Sequence, residues 1–223
     1  MLLRPDGDAT ICIGQPAHAF LSGQLAARWQ PKPSEEVVLA ATQHDAGMAD
    51  WDAAPKLNPE TGLPQSFMEM DLETHLELWS HAPHRVLPQS RHAALLVSMH
   101  GTALYEMRRR RTPAIERYLD EQRELQRRLG HDLDQDELHR DQQLLWAWDF
   151  LSLGLCLRWE GRSVNGLTLH ADTVEPWPFA SDGVHLHTEG RRLSGRYDDE
   201  REMRAALDAA PWVTLSFELT RRP

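Results

Sequence analysis

One carboxylate constrains this chain more than any other residue. Asp149 stands in the run Leu144-Leu-Trp-Ala-Trp-Asp-Phe-Leu-Ser-Leu153, whose length and apolar content predict a helix from about Asp134 through Trp159. On that helix Leu145, Trp146, Leu153 and Cys156 are its neighbours at helical spacing, so Asp149 faces the core. A lone carboxylate buried there is strongly unfavourable unless it is paired, protonated or coordinated. The fold must therefore bring it a partner.

Other helices offer partners of one chemical kind. Gln15-Pro16 opens a helix to about Trp29, with proline in the first turn, and His18 shares a stripe with Leu21, Leu25 and Trp29. Ser34 caps a second helix reaching about Asp45, where His44 follows Val37 and Ala41 and Asp45 stands beside it. A third begins at Asp71 and is expected to end before Pro83. The fourth, from about Ser90 to Arg111, carries His100 on the stripe of Ala93, Leu96, Val97 and Leu104, and a fifth runs from Thr112-Pro113 to about Leu129. A single histidine on an apolar face is ordinarily a hydrogen-bonded core residue. Four helices each turning one such group inward make a common site the better reading. His18, His44, Asp45, His100 and Asp149 are thus the expected metal ligands, and imidazole with carboxylate suits iron, manganese or zinc.

Gly47 to Gln65, rich in Pro, Gly, Asp and Asn, reads as a long loop bordering that site. Asp50 and Asp52 are candidates to orient a ligand or act as general base, and Lys56 to meet a substrate anion; turns and surface pairs explain the same residues equally well. Gln15 and Gln43 are candidate hydrogen-bond donors behind the ligands, and Gly101 is suited to close helix approach. Arg108 to Arg111 read as cations closing a helix C-terminus rather than a nucleic-acid patch, and Glu106 as a solvated residue. Ser98, Ser152 and Cys156 lie in no nucleophile motif, and no phosphate-binding glycine signature occurs.

The 34 acidic against 24 basic side chains argue against nucleic acid or an anionic membrane as main partner. The first residues carry acids where a signal peptide would be apolar, and the longest apolar stretch is broken by Asp149 and Arg158. Two cysteines without a CxxC pair suit a reducing compartment, so a cytoplasmic location is expected. The C-terminal third changes character: Gly, Thr, Val and His dominate from Asn165 to Tyr197. Trp212 to Thr220 alternates as a half-buried strand, with Val213, Leu215, Phe217 and Leu219 on one face.

The segments Gln43-His-Asp-Ala-Gly-Met-Ala-Asp-Trp-Asp52, Leu96-Val-Ser-Met-His-Gly101 and Trp148-Asp-Phe-Leu-Ser-Leu153 resemble an uncharacterised bacterial family, domain-of-unknown-function family 3891, over most of the chain. The order His, His-Asp, His, Asp, each on its own helix, also resembles the HD superfamily of metal-dependent phosphohydrolases. That second resemblance implies His18, His44, Asp45 and Asp149 as ligands and His100 at an intermediate position, with His75, His81 and His84 available for another. Ala46 to Asp52 departs from the short Gly-Lys type turn usual after the pair. The implied architecture is mainly α, an HD-like bundle of about six helices in residues 1–160, with a small C-terminal α+β appendage in 161–223. The implied activity is a metal-dependent hydrolase of a phosphoester or phosphoanhydride. An HD-like iron-dependent oxygenase and a non-catalytic metal-stabilised binding or regulatory module are the alternatives. The expected partner is a small anionic substrate, with neither nucleic acid nor membrane, and a homodimer is compatible with the sequence.

Overall fold

The computed structural model describes residues 1–222. Two strands open the chain, β1 (Leu2–Asp6) and β2 (Ala9–Ile13). They form a hairpin because Gly7, at φ +62°, begins the two-residue turn where a side chain would be strained. Helices α1 (Gln15–Arg28) and α2 (Glu35–Gln43) follow, then a 3₁₀ turn at Ala46–Met48, α3 (Ala49–Ala53) and a hairpin of β3 (Leu57–Asn58) and β4 (Leu63–Pro64). Next come α4 (Leu72–Val86), α5 (Arg91–Glu106), α6 (Pro113–Gly130) and α7 (Gln135–Leu157). The small strands β5 (Arg162–Val164), β6 (Leu167–Leu169) and β7 (Val174–Glu175) form a second sheet. β8 (Gly183–Ser194), α8 (Glu200–Ala209) and β9 (Trp212–Thr220) complete the order.

The helix starts follow local chemistry. Ser34, Asp71, Ser90, Thr112 and Asp134 each accept a hydrogen bond from a first-turn backbone N–H of α2, α4, α5, α6 and α7. Such caps contribute about 1 kcal/mol each. α7 ends where Arg158 turns left-handed at φ 56°.

The fold is α+β, which corrects the expectation of a mainly α, HD-like bundle of about six helices with a small appendage. The main sheet has the order β1-β2-β8-β9, antiparallel throughout, and joins both ends of the chain. Its inner face, with Val184, Leu186 and Thr188 from β8 and Leu215 and Leu219 from β9, is buried, while His185, His187 and Glu189 point outward. α1 is fastened to β8 through Gln24, which exchanges two hydrogen bonds with the His187 backbone at 2.7 and 3.1 Å. Thr188 Oγ1 also donates to the Ala17 carbonyl at 2.6 Å. The helical core centres on Trp148, with Trp29 edge-on to it and to Phe179.

Three element boundaries also differ from expectation. α4 continues past Pro83 to Val86, because the proline ring and its neighbours Ala82 and Val86 are buried in the core, which offsets one lost backbone bond. α5 stops at Glu106, so the arginine run lies just beyond the helix rather than in its last turn. The stretch 47–65 is not a bare loop, since α3 and the β3–β4 hairpin occupy much of it. No helix among the described residues is long and apolar enough to cross a membrane.

Candidate metal centre

α1, α5 and α7, with the C-terminal end of α2, meet at one polar cluster inside the apolar core. His18, His44, Asp45 and His100 are almost fully buried, and the Asp149 side chain is 14% exposed. Asp149 Oδ1 lies 3.4 Å from His44 Nε2 and 3.9 Å from His18 Nδ1, and its Oδ2 lies 3.5 Å from His100 Nε2. Asp45 Oδ2 lies 2.6 Å from His18 Nε2 and 3.6 Å from His44 Nε2. The five residues that periodicity placed on inward faces are thus adjacent in space.

The hydrogen-bond pattern fixes what the imidazoles present. His44 donates from Nδ1 to the Ala41 carbonyl at 2.9 Å, leaving the buried Nε2 without a hydrogen-bond partner and aimed between two carboxylates. Ser152 donates to the Asp149 carbonyl at 2.8 Å, so its oxygen accepts from His18 Nδ1 at 2.9 Å. His18 Nε2 donates to Asp45 Oδ2 at 2.6 Å. Ser22 supports Ser152 with a further bond of 2.8 Å. The Nε2 edges of two imidazoles and the oxygens of two carboxylates therefore converge, and the arrangement requires positive charge at its centre. Burial opposes a charge on His44, but Asp45 and Asp149 outweigh it and lift its pKa to about 9. Despite burial, His44 with His18 holds the Asp45 carboxyl below its ordinary range, and His100 with His44 does the same for Asp149.

A divalent ion meets the same requirement. One donor atom each from His18, His44 and Asp149 lies within 4.8 Å of the others, so these residues could hold a metal ion. With bonds of about 2.1 Å, donors sharing an ion stand roughly 3.0 to 3.4 Å apart, close to the His44–Asp149 and His100–Asp149 separations above. A ring nitrogen donating to a backbone carbonyl, as in His44, is also the usual orientation of a metal-binding histidine.

His75 is not part of this donor set. Trp79 Nε1 donates to its Nε2 at 3.2 Å, so Nδ1 carries the proton and donates to the Tyr105 hydroxyl. Burial lowers its pKa to about 4 and keeps it neutral. His81 and His84 are exposed. Gly101 lets this wall close: a Cβ there would stand 2.5 Å from Tyr118 Oη and 2.8 Å from Trp79 Cε3.

Asp50, Asp52 and Lys56 stand apart from the cluster. Asp50 is exposed and pairs with Arg85. Asp52 is buried, accepts from the Gln15 backbone N–H and lies 2.6 Å from the Met1 amino nitrogen. Burial raises its pKa against the pull of that nitrogen. Lys56 is exposed, 3.7 Å from Asp71 and over the Trp51 ring. Ser98 bonds Gln122, and Glu106 pairs with Arg123. Gln43 is only half-buried, while Gln15 does reach the site.

His18, Asp45, His100 and Asp149 form part of the wall of a cavity of about 480 Å³, a volume suited to a small molecule. The rest of its lining includes Met48, Phe67, Met70, Trp79, Leu104 and Arg108. Sequence reasoning missed Ser22 and weighed Ser152 only as a nucleophile, although they follow His18 and Asp149 by four and three residues on the same helix faces. It also missed the rim at Phe67–Met70, which carries no chemical motif.

No curated protein and no solved structure matches this chain. A family model described as "Protein of unknown function (DUF3891)" does match, over residues 1–195, from β1 to the end of β8. The chain belongs to that family.

Proposed function

We propose that the protein is a metal-dependent hydrolase acting on a phosphoester or phosphoanhydride, with His18, His44, Asp45 and Asp149 as ligands and His100 as ligand or substrate-facing group. The observation that carries the reading is His44, whose Nε2 is buried between two carboxylates, a place for a proton or a metal ion, while its Nδ1 is tied to a backbone carbonyl. The His, His-Asp, His, Asp order, similar to that of the HD superfamily, supports it. So does the contact between cluster and cavity, which gives a substrate access to the donors. Bound there, a divalent ion such as iron, manganese or zinc would acidify a water and stabilise charge on phosphoryl oxygens.

The chain's own groups orient that chemistry. Ser152 and the Ala41 carbonyl hold His18 and His44 with their Nε2 atoms inward. Neutral His75, fixed by Trp79 and Tyr105, borders the cavity without adding charge. A second reading, an iron-dependent oxygenase, is favoured by one observation: beyond the cluster the wall is largely apolar.

Protein purified without chelator should contain divalent metal by elemental analysis and, loaded with it, should release phosphate from members of a phosphoester and nucleotide panel. Metal-free protein that gains no metal on titration would overturn the metal reading. Oxygen consumption by the iron-loaded form, with no phosphate release, would replace hydrolase by oxygenase.

A further inference from the structure

The cavity is chemically lopsided. At its inner end stand the carboxylates Asp45 and Asp149; along its length run Phe67, Met70, Leu104 and Leu153; toward the solvent are Met68, 73% exposed, and Arg108. Among the described residues Arg108 is the one Lys or Arg lining it. No carboxylate among them lies within salt-bridge distance of Arg108, whose guanidinium rests on the Tyr105 ring at 4.8 Å. The stacking positions the cation without neutralising it. A helix C-terminus favours nearby cations, but that does not explain why this one forms the wall of an apolar cavity.

α5 sets the spacing. His100, Leu104 and Arg108 follow at steps of four residues, the last just past the helix end. At 1.5 Å per residue the backbone rises roughly 6 Å from His100 to Leu104, and Arg108 lies a further four residues on. The intervening wall is apolar and includes methionines, whose flexible side chains accommodate an extended chain better than a fixed shape.

We propose that this cavity takes an elongated, largely apolar molecule with an anionic group at one end, the anion on Arg108 and the other end against the His/Asp cluster. The inference rests on the reading that substrate enters this cavity. It adds a second, remote anionic group to that substrate: the scissile phosphoester meets the metal-loaded cluster, whereas in metal-free protein Asp45 and Asp149 disfavour an anion at the inner end, so a probe's single anion goes to Arg108.

Calorimetry on the chelator-treated full chain tests this independently of turnover, with octanoate, octyl phosphate, octanol and inorganic phosphate as probes. Octanoate, octyl phosphate or both should bind at least about tenfold more tightly than octanol, and inorganic phosphate should bind no better than octanol. The tighter of the two anions identifies the headgroup. Arg108→Gln, at an exposed position, should bring the anionic probes to the level of octanol without changing octanol binding or melting temperature. Leu104→Asp, which places a charge beside the apolar stretch, should weaken all three eight-carbon probes. Equal binding of octanol and the anions, no effect of Arg108→Gln, or no binding by any eight-carbon probe would overturn the proposal. If these probes bind as expected but the metal-loaded protein turns over no phosphoester, the hydrolase reading fails and the ligand assignment stands.

Discussion

Replacing Asp149 by Asn keeps the size of the side chain and removes the charge that three histidines surround. Its oxygens lie 3.4 and 3.5 Å from His44 and His100 Nε2. At the 3.4 Å that separates it from His44, and an effective dielectric constant near 20, two unit charges attract by about 5 kcal/mol, a floor for a cation bound closer to the carboxylate. Asp45 remains and relaxation recovers part of the loss, so the expected weakening of metal binding is about 3 to 4 kcal/mol, or roughly 100- to 1,000-fold in affinity. Helix α7 should persist, because the amide fills the same space as the carboxylate and the cap at Asp134 is untouched. The assay is competition against a chromophoric chelator, with circular dichroism at 222 nm on the same samples. A variant that binds metal within threefold of the unmodified protein would show that Asp149 is not a ligand. A variant that loses helix content in step with metal would show that the carboxylate is chiefly a structural partner of the buried histidines.

Three further outcomes follow from the geometry. His75 has a folded-state pKa of about 4, below the 6.5 of an unperturbed imidazole, so the unfolded chain protonates first and stability is lost as pH falls from about 6.5 toward 4. Each pH unit in that window removes at most about 1.4 kcal/mol; urea titrations at pH 7 and pH 5 should show a smaller difference for His75→Gln than for wild type, and an equal difference refutes the assignment. Gly101→Ala forces a Cβ against the Trp79 ring and Tyr118 and should destabilise by about 1 to 3 kcal/mol, read as a lower melting temperature; an unchanged one would mean the wall gives way easily. Lys56→Ala should leave metal affinity and phosphate release unchanged, since Lys56 is exposed and held at Asp71; a loss of turnover at constant metal content would return it to the site.

The convergence of His18, His44, His100 and Asp149 was legible because helical periodicity marks an inward polar residue against its apolar neighbours. Which atoms meet was not, because tautomers depend on Ala41 and Ser152, contacts made only on folding. The sheet was missed for a related reason. β1 and β2 are five residues each, too short for a strong pattern, and the Asp6-Gly7 turn signal was the cue to pair them. Their partner β8 lies almost the whole chain away. Asp52 shows what sequence proximity leaves open: it follows His44-Asp45 closely, and α3 turns its carboxylate toward Met1.

That distant pairing has a consequence for how the chain is made. β2 joins β8 from Ala9–Ser194 to Cys12–Arg191, so on the ribosome the first hairpin waits through the synthesis of every main helix before its neighbour emerges. Helix pairs α1–α2, α4–α5 and α5–α6 pack against neighbours close in sequence and can settle first, whereas closing the sheet carries the loop entropy of nearly the full polypeptide. The late, rate-limiting event in folding should therefore be sheet closure, and until then β2 presents an unsatisfied edge to any other strand nearby.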